Sequence, residues 1–143
     1  MTDLERAKNY LSSHKNLKCV LWKQDVHYES EKRGVAPMME FLQSGIDLCG
    51  FSAADRVVGR GAAFLFVLAG VTSVYGEVMS QGAREVLDRF GVQNTAAVVV
   101  NHIINRQGDG ICPIESAVWE ITDPQEAYHT IKTRLCELQA QQS

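Results

Sequence analysis

The sequence predicts an α/β protein built on one mixed sheet with helices on both of its faces. Three observations carry that expectation. Two short β-prone runs, residues 19–22 and 26–29, flank Lys23-Gln24-Asp25 and read as a hairpin. A strand–helix–strand pattern follows further along, and such a unit makes parallel strands. Amphipathic or wholly apolar helical segments lie before, between and after these strands, enough to cover both faces.

Each element has its own signal. Residues 4–13 form a helix with Leu4, Ala7 and Leu11 on one face. After the hairpin, Lys32-Arg33-Gly34 is a turn, and Pro37 opens a helix that Gly45 stops. Asp55 is the expected N-cap of a long helix over residues 56–69, with Gly70 as its C-terminal stop. Residues 71–79 read as a buried strand. Ser80 caps a helix that closes at Gly91. Residues 92–105 carry two signals. Val98-Val99-Val100 favours a strand, whereas Ala96, Val99, Val100 and Ile103 have helical spacing and Thr95 is a possible cap. The reading adopted is a short strand at 92–94 followed by a helix. A short helix then runs to about Trp119, and Asp123-Pro124-Gln125-Glu126 starts a C-terminal helix whose last residues, 139–143, fray.

Composition narrows the function classes. The chain has 143 residues, 45% of them apolar and 22% charged, with a net charge of -3, which suits one soluble domain over 1–143. Its core is expected over about 17–138, with helix 3–13 packed on it. No basic surplus draws it to nucleic acid or to a membrane surface. The most apolar run, residues 61–71, is too short to span a bilayer. The opening residues are acidic and amphipathic, unlike a signal peptide. Cys19, Cys49, Cys112 and Cys136 form no CxxC pair, so reduced thiols in the cytoplasm are expected. His14, His27, His102 and His129 make no HxE or HExxH pattern, and neither metal nor other cofactor is expected.

The strongest candidate site is residues 105–115, Asn105-Arg106-Gln107-Gly108-Asp109-Gly110-Ile111-Cys112-Pro113-Ile114-Glu115. A glycine-rich loop runs into a helix start with proline at its first position. Glu115 is placed to fold back on the cap. This setting puts the Cys112 sulfur beside free N–H groups, which favours a thiolate and also favours bound anions. Cys112 equally fits a small buried hydrophobe. Gly59-Arg60-Gly61 fits either close helix packing or an anion-binding helix start. Glu77 lies in an apolar strand and is expected to be paired, neutralised or open to a pocket. Arg33-Gly34, Gly59-Arg60 and Asn105-Arg106 each set arginine or its neighbour against flexible backbone.

Four segments taken together resemble a known family. They are Arg33-Gly34 to Pro37, Asp55-Arg56-Val57-Val58-Gly59 with the alanines after it, Val74 to Ser80, and Asn105-Arg106 through Glu115. In this order they are similar to a small prokaryotic family of unknown function with a cytidine-deaminase-like fold. The resemblance implies a three-layer α/β/α domain with a mixed central sheet. It also implies a pocket where two helix starts meet the sheet. Zinc deaminases carry H-x-E or C-x-E at one such start and P-C-x-x-C at the next. Here those places hold Gly59-Arg60-Gly61 and Val78-Met79-Ser80-Gln81-Gly82, so zinc chemistry is not implied.

The resulting expectation is a binding protein for an anionic small molecule, a nucleotide or sugar phosphate. Ligand contacts are expected from Gly34, Gly59, Arg60, Gly61, Ser80, Asn105, Arg106, Gly110 and Glu115. A thiol-dependent reaction would use Cys112 as nucleophile and Glu77 as acid or base. A non-catalytic sensor or interaction module, and a metal-dependent hydrolase or deaminase, stand as the alternatives. Further copies of the chain remain open as partners.

Overall fold

A computed structural model describes residues 1–142. The chain folds as α1 (Asp3–Ser13), β1 (Cys19–Lys23), β2 (Val26–Ser30), α2 (Ala36–Ser44), β3 (Ser52–Val58), α3 (Arg60–Ala69), β4 (Ser73–Ser80), α4 (Gln81–Arg89), β5 (Gln93–Val100), α5 (Pro113–Ala117) and α6 (Pro124–Gln142). The five strands form one sheet in the order β2-β1-β3-β4-β5. β1 is antiparallel to both β2 and β3, while β3, β4 and β5 run parallel.

The layers follow from which side chains each face buries. α1 lays Ala7 and Leu11 against Val20 and Ala54, with Leu17 closing the end of this smaller core. The other face carries the main core. There α3 buries Phe64, Leu65 and Phe66, and α4 buries Val86 and Leu87. Met38 and Met39 of α2 and Ile131 of α6 complete it. The result is three layers, α/β/α, around a mixed sheet. The hairpin turns through Gln24, whose φ is 54°. Gly45 and Gly70 end α2 and α3 in the left-handed region, at φ 77° and 80°. Ser80 caps α4, its Oγ accepting from the Ala83 N–H at 3.1 Å. Asp123 caps α6, accepting from the Glu126 N–H at 3.0 Å.

Two expectations are corrected. Asp55 is no helix cap: it lies inside β3, buried, and α3 starts after Gly59. A strand buried on both faces shows no alternation, so its polar residue imitates a cap. Residues 93–100 are strand throughout, not a helix, because the three valines and the β4 ladder outweigh the helical spacing. α6 remains helical through Gln142, and the fraying expected at the terminus includes Ser143, which lies outside the described residues. Among the described residues no helix is long and apolar enough to cross a membrane.

Candidate functional site

β3 ends at Val58, and Gly59 turns the chain into α3 with no side-chain cap of its own. A helix start leaves its first N–H groups without intrahelical partners. The cap comes from far away in sequence. The Arg60 N–H donates to Glu115 Oε1 at 3.0 Å. The Ser80 hydroxyl, at the end of the neighbouring strand β4, donates to the same oxygen. The Ile103 N–H donates to Glu115 Oε2. Glu115 is 1% exposed, so three donors surround a carboxylate shut away from water. This is the point where the starts of α3 and α4 converge on the sheet. The chain's own carboxylate fills the place where an external anion was expected.

Glu115 was also expected to cap its own helix. Instead α5 has no side-chain cap bond, and Cys112 serves as its N-cap by backbone alone. The loop before it is tied internally. Ile104 bridges Ile111, Asn105 N–H donates to Gly110 O at 2.8 Å, and the Asn105 side chain bonds Asp109 at 2.9 Å. Asn105 and Gly110 thus shape the loop, with Gly108 at φ 78° making its turn. Arg106 stays exposed on it.

A small pocket of about 70 Å³ lies beside the Glu115 carboxylate. Gly34, Gly59, Gly61, Cys112 and Glu115 all line it, with Val35, Val57, Ala62, Ile103 and Ile114 making the rest of the wall. Five of the eleven residues expected at a site therefore meet. Gly61 has a packing reason to be glycine: an added Cβ would stand 2.8 Å from Ile114 Cγ2. Cys112 is half-buried on the pocket wall, and its N–H donates to Ile103 O at 2.8 Å.

Two expected residues point elsewhere. The Arg60 guanidinium turns from the pocket and donates to Val118 O at 3.0 Å, Ile121 O at 2.7 Å and Gly82 O at 3.3 Å. It also covers the Phe64 ring at 5.2 Å. Burial pulls its pKa down, and Glu85 and Glu115 oppose that pull. Glu77 is drawn to the α1 side by Arg56, which donates to it at 2.6 Å while bonding Leu11 O and Leu17 O. The ion pair satisfies the carboxylate that sequence alone left open, and it does so away from Cys112.

Sequence reasoning missed three features. Ile103 contributes through its N–H, which no side-chain pattern reveals. His102 and Trp119, with rings 4.6 Å apart, line an open groove of about 520 Å³ with Ile111 and Glu120. Asp55 is buried directly across the ladder from buried Cys19. Its Oδ1 accepts from the Val57 N–H at 3.3 Å, whereas Oδ2 has no hydrogen bond of good geometry among the described residues. Burial pushes Asp55 up to about 7, although the Val57 and Arg56 amides, the Cys19 thiol and the Arg56 guanidinium all pull it down. Burial and the Asp55 charge raise the Cys19 thiol well above its ordinary value. Among the described residues, no three His, Cys, Asp or Glu side chains gather as a metal would need.

The fold has a solved counterpart. A crystal structure of a DUF1893 family protein, TM1506 from Thermotoga maritima, is similar with a TM-score of 0.83 over 94% of this chain and 91% of that one. The two sequences are 21% identical, so that likeness speaks for the fold. No curated protein matches the chain. The sequence profile of the TM1506 family, described as a domain of unknown function (DUF1893), matches residues 6–135. With nearly its whole length matched, this chain belongs to the DUF1893 family.

Proposed function

We propose that this chain is a binding module for an anionic small molecule, with a deaminase-like fold that works without zinc. The ligand site is the pocket walled by Gly34, Gly59, Gly61 and Cys112, and Glu115 is its latch. One observation carries the reading: three donors converge on a single buried carboxylate at the starts of α3 and α4. Donors aimed at one point at a helix start suit a phosphate or carboxylate group equally well. The pocket's 70 Å³ is far below the roughly 300 Å³ of small-molecule sites. A nucleotide or sugar phosphate therefore enters by exchange: its anion takes the Arg60, Ile103 and Ser80 donors as Glu115 withdraws with α5. Such an exchange changes the position of residues 101–119 and makes the module a sensor rather than a turnover machine. Glu77, committed to Arg56 on the α1 side, is not at hand as an acid or base for Cys112.

Thermal shift with inorganic phosphate, a nucleotide panel and a sugar-phosphate panel tests this. A ligand at about 100 times its Kd adds roughly 2.7 kcal/mol. Glu115→Gln weakens the internal competitor, so the variant is less stable alone and binds the same anion more tightly. No shift with any anion, for either protein, sinks the reading. Turnover of a ligand that Cys112→Ser abolishes would make the protein an enzyme instead.

A further inference from the structure

The groove beside Trp119 is separate from the anion pocket, and α5 stands between them. Ile114 and Glu115 wall the pocket, whereas Ser116 and Ala117 wall the groove. At about 520 Å³ the groove falls within the range of roughly 300–1,000 Å³ typical of small-molecule sites. Trp119 lines it and stays 40% exposed. The ring is nonetheless held in place. A Cβ added at Gly82 would stand 3.1 Å from Trp119 Cζ3, so a glycine on α4 makes room for the indole edge. The His102 ring lies 4.6 Å away, tilted by 49°. Behind the turn, the buried Arg60 guanidinium donates to Val118 O at 3.0 Å and to Ile121 O at 2.7 Å. The two residues between, Trp119 and Glu120, are thus presented on a clamped turn. A large aromatic ring left half in water on a rigid support suits recognition better than core packing.

We propose that this groove binds a small organic cation, an alkylguanidinium, with its planar head against Trp119 and Glu120 and its stem along Ile111 and Ile121. Charge is the first argument. Glu120 is the one acid on the groove wall, and no lysine or arginine lines it. An anion finds no counter-charge there, and a cation finds one. His102 does not cancel it. Its Nδ1 is buried and meets no partner among the described residues, so a proton on that nitrogen would be stranded. Only the doubly protonated ring carries a charge. Shape is the second argument. A guanidinium is flat, stacks on aromatic faces and offers N–H donors in a fork that matches a carboxylate. Tryptophan is the best of the aromatic faces for a cation. Trp119 and Glu120, adjacent in the chain, offer face and carboxylate from one turn. The third argument is the remaining wall. Ile111 and Ile121 are apolar, and the aliphatic stem of a cation lies readily along such a surface. With no cation on the wall, the ligand carries no phosphate or carboxylate of its own. Binding here needs no movement of Glu115, so this site stands or falls apart from the anion reading.

NMR titration of the isotope-labelled full chain at neutral pH decides it, with butylguanidinium, its uncharged isostere butylurea and a nucleoside as probes. Butylguanidinium shifts the amides of residues 102, 111 and 116–121 and the Trp119 indole N–H, saturating with a Kd below about 1 mM. Butylurea binds at least about tenfold more weakly, and Glu120→Gln binds butylguanidinium at least about tenfold more weakly than wild type. Trp119→Leu weakens it by a similar factor. Should that variant fail to fold, Glu120→Gln, at an exposed position, carries the test alone. The proposal is overturned by the absence of a saturating shift up to about 10 mM, or by shifts centred elsewhere. Butylurea binding as tightly as butylguanidinium overturns it, and so does a Glu120→Gln variant that binds as wild type does. A nucleoside that fills the groove while butylguanidinium leaves it unmoved also overturns it.

Discussion

Glu115 Oε1 and the Arg60 N–H, 55 residues apart in the chain, meet at 3.0 Å and cap α3 from outside the helix. A helix cap is usually local, a serine or aspartate one turn away. Here the capping carboxylate belongs to another element, so capping and tertiary assembly are one interaction. Ser80 extends the coupling: its Oγ accepts from Ala83 to cap α4 and its hydroxyl donates to Glu115. Two parallel units of the sheet are therefore tied to α5 through a single side chain.

Glu115→Ala should be among the most damaging single substitutions. It strands three donors, two of them backbone, and each unmet buried donor costs about 1–3 kcal/mol. A loss of about 3 kcal/mol or more is expected in urea unfolding at neutral pH, with Glu115→Gln losing less because it keeps one acceptor. A loss below about 1 kcal/mol would show that water replaces the carboxylate freely.

Asp55 should make stability fall as pH rises. Its folded value of about 7 lies above the ordinary 3.8. Between those values the folded chain holds a proton that the unfolded chain has lost, so stability is full below about pH 4 and declines toward pH 7. At about 1.4 kcal/mol per unit, the decline approaches 4 kcal/mol as an upper limit. Asp55→Asn removes the slope, and its advantage over wild type grows across that window. Urea melts at several pH values check this; parallel curves for the two proteins would mean that Asp55 titrates as it does in the unfolded chain.

Gly61→Ala should destabilise the protein, against the helix propensity that favours alanine by up to about 1 kcal/mol. The new methyl meets Ile114 Cγ2 at 2.8 Å. Ile114→Leu moves the branch away and should recover part of the loss in the double variant. Full additivity of the two changes in a double-mutant cycle would rule out this contact as the cause.

Thiol labelling with iodoacetamide should follow exposure: Cys49 and Cys136 first, half-buried Cys112 next, Cys19 last. Both Cys49 and Cys136 are exposed in the structure. Peptide mapping gives the order. Labelling of Cys112 ahead of both exposed thiols would reveal activation beyond access and would restore the nucleophile reading.

Much of the fold is written in local signals. The hairpin, the left-handed stops at Gly45 and Gly70, the Ser80 cap and the Asp123 cap all stand where the sequence puts them. β3 is not legible, because Ser-Ala-Ala-Asp-Arg-Val-Val mixes small and charged residues in a strand buried on both faces. β5 is ambiguous because its valines also sit at helical spacing, and only the β4 ladder resolves it. At the site, Cys112 and Glu115 are visible through the glycine loop and the proline. The direction of Glu77 is not, since the partner that claims it, Arg56, lies on the next strand. Ile103 is invisible because a backbone amide has no residue identity.

Arg60 spends its N–H on Glu115 and its guanidinium on the carbonyls of Val118, Ile121 and Gly82. One residue at the first position of α3 thus fastens residues 115–121 at three points. Unwinding the first turn of α3 and peeling that segment from the sheet are then a single event. Amide exchange in the two regions should report one common opening free energy, although 55 residues separate Arg60 from Glu115 in sequence.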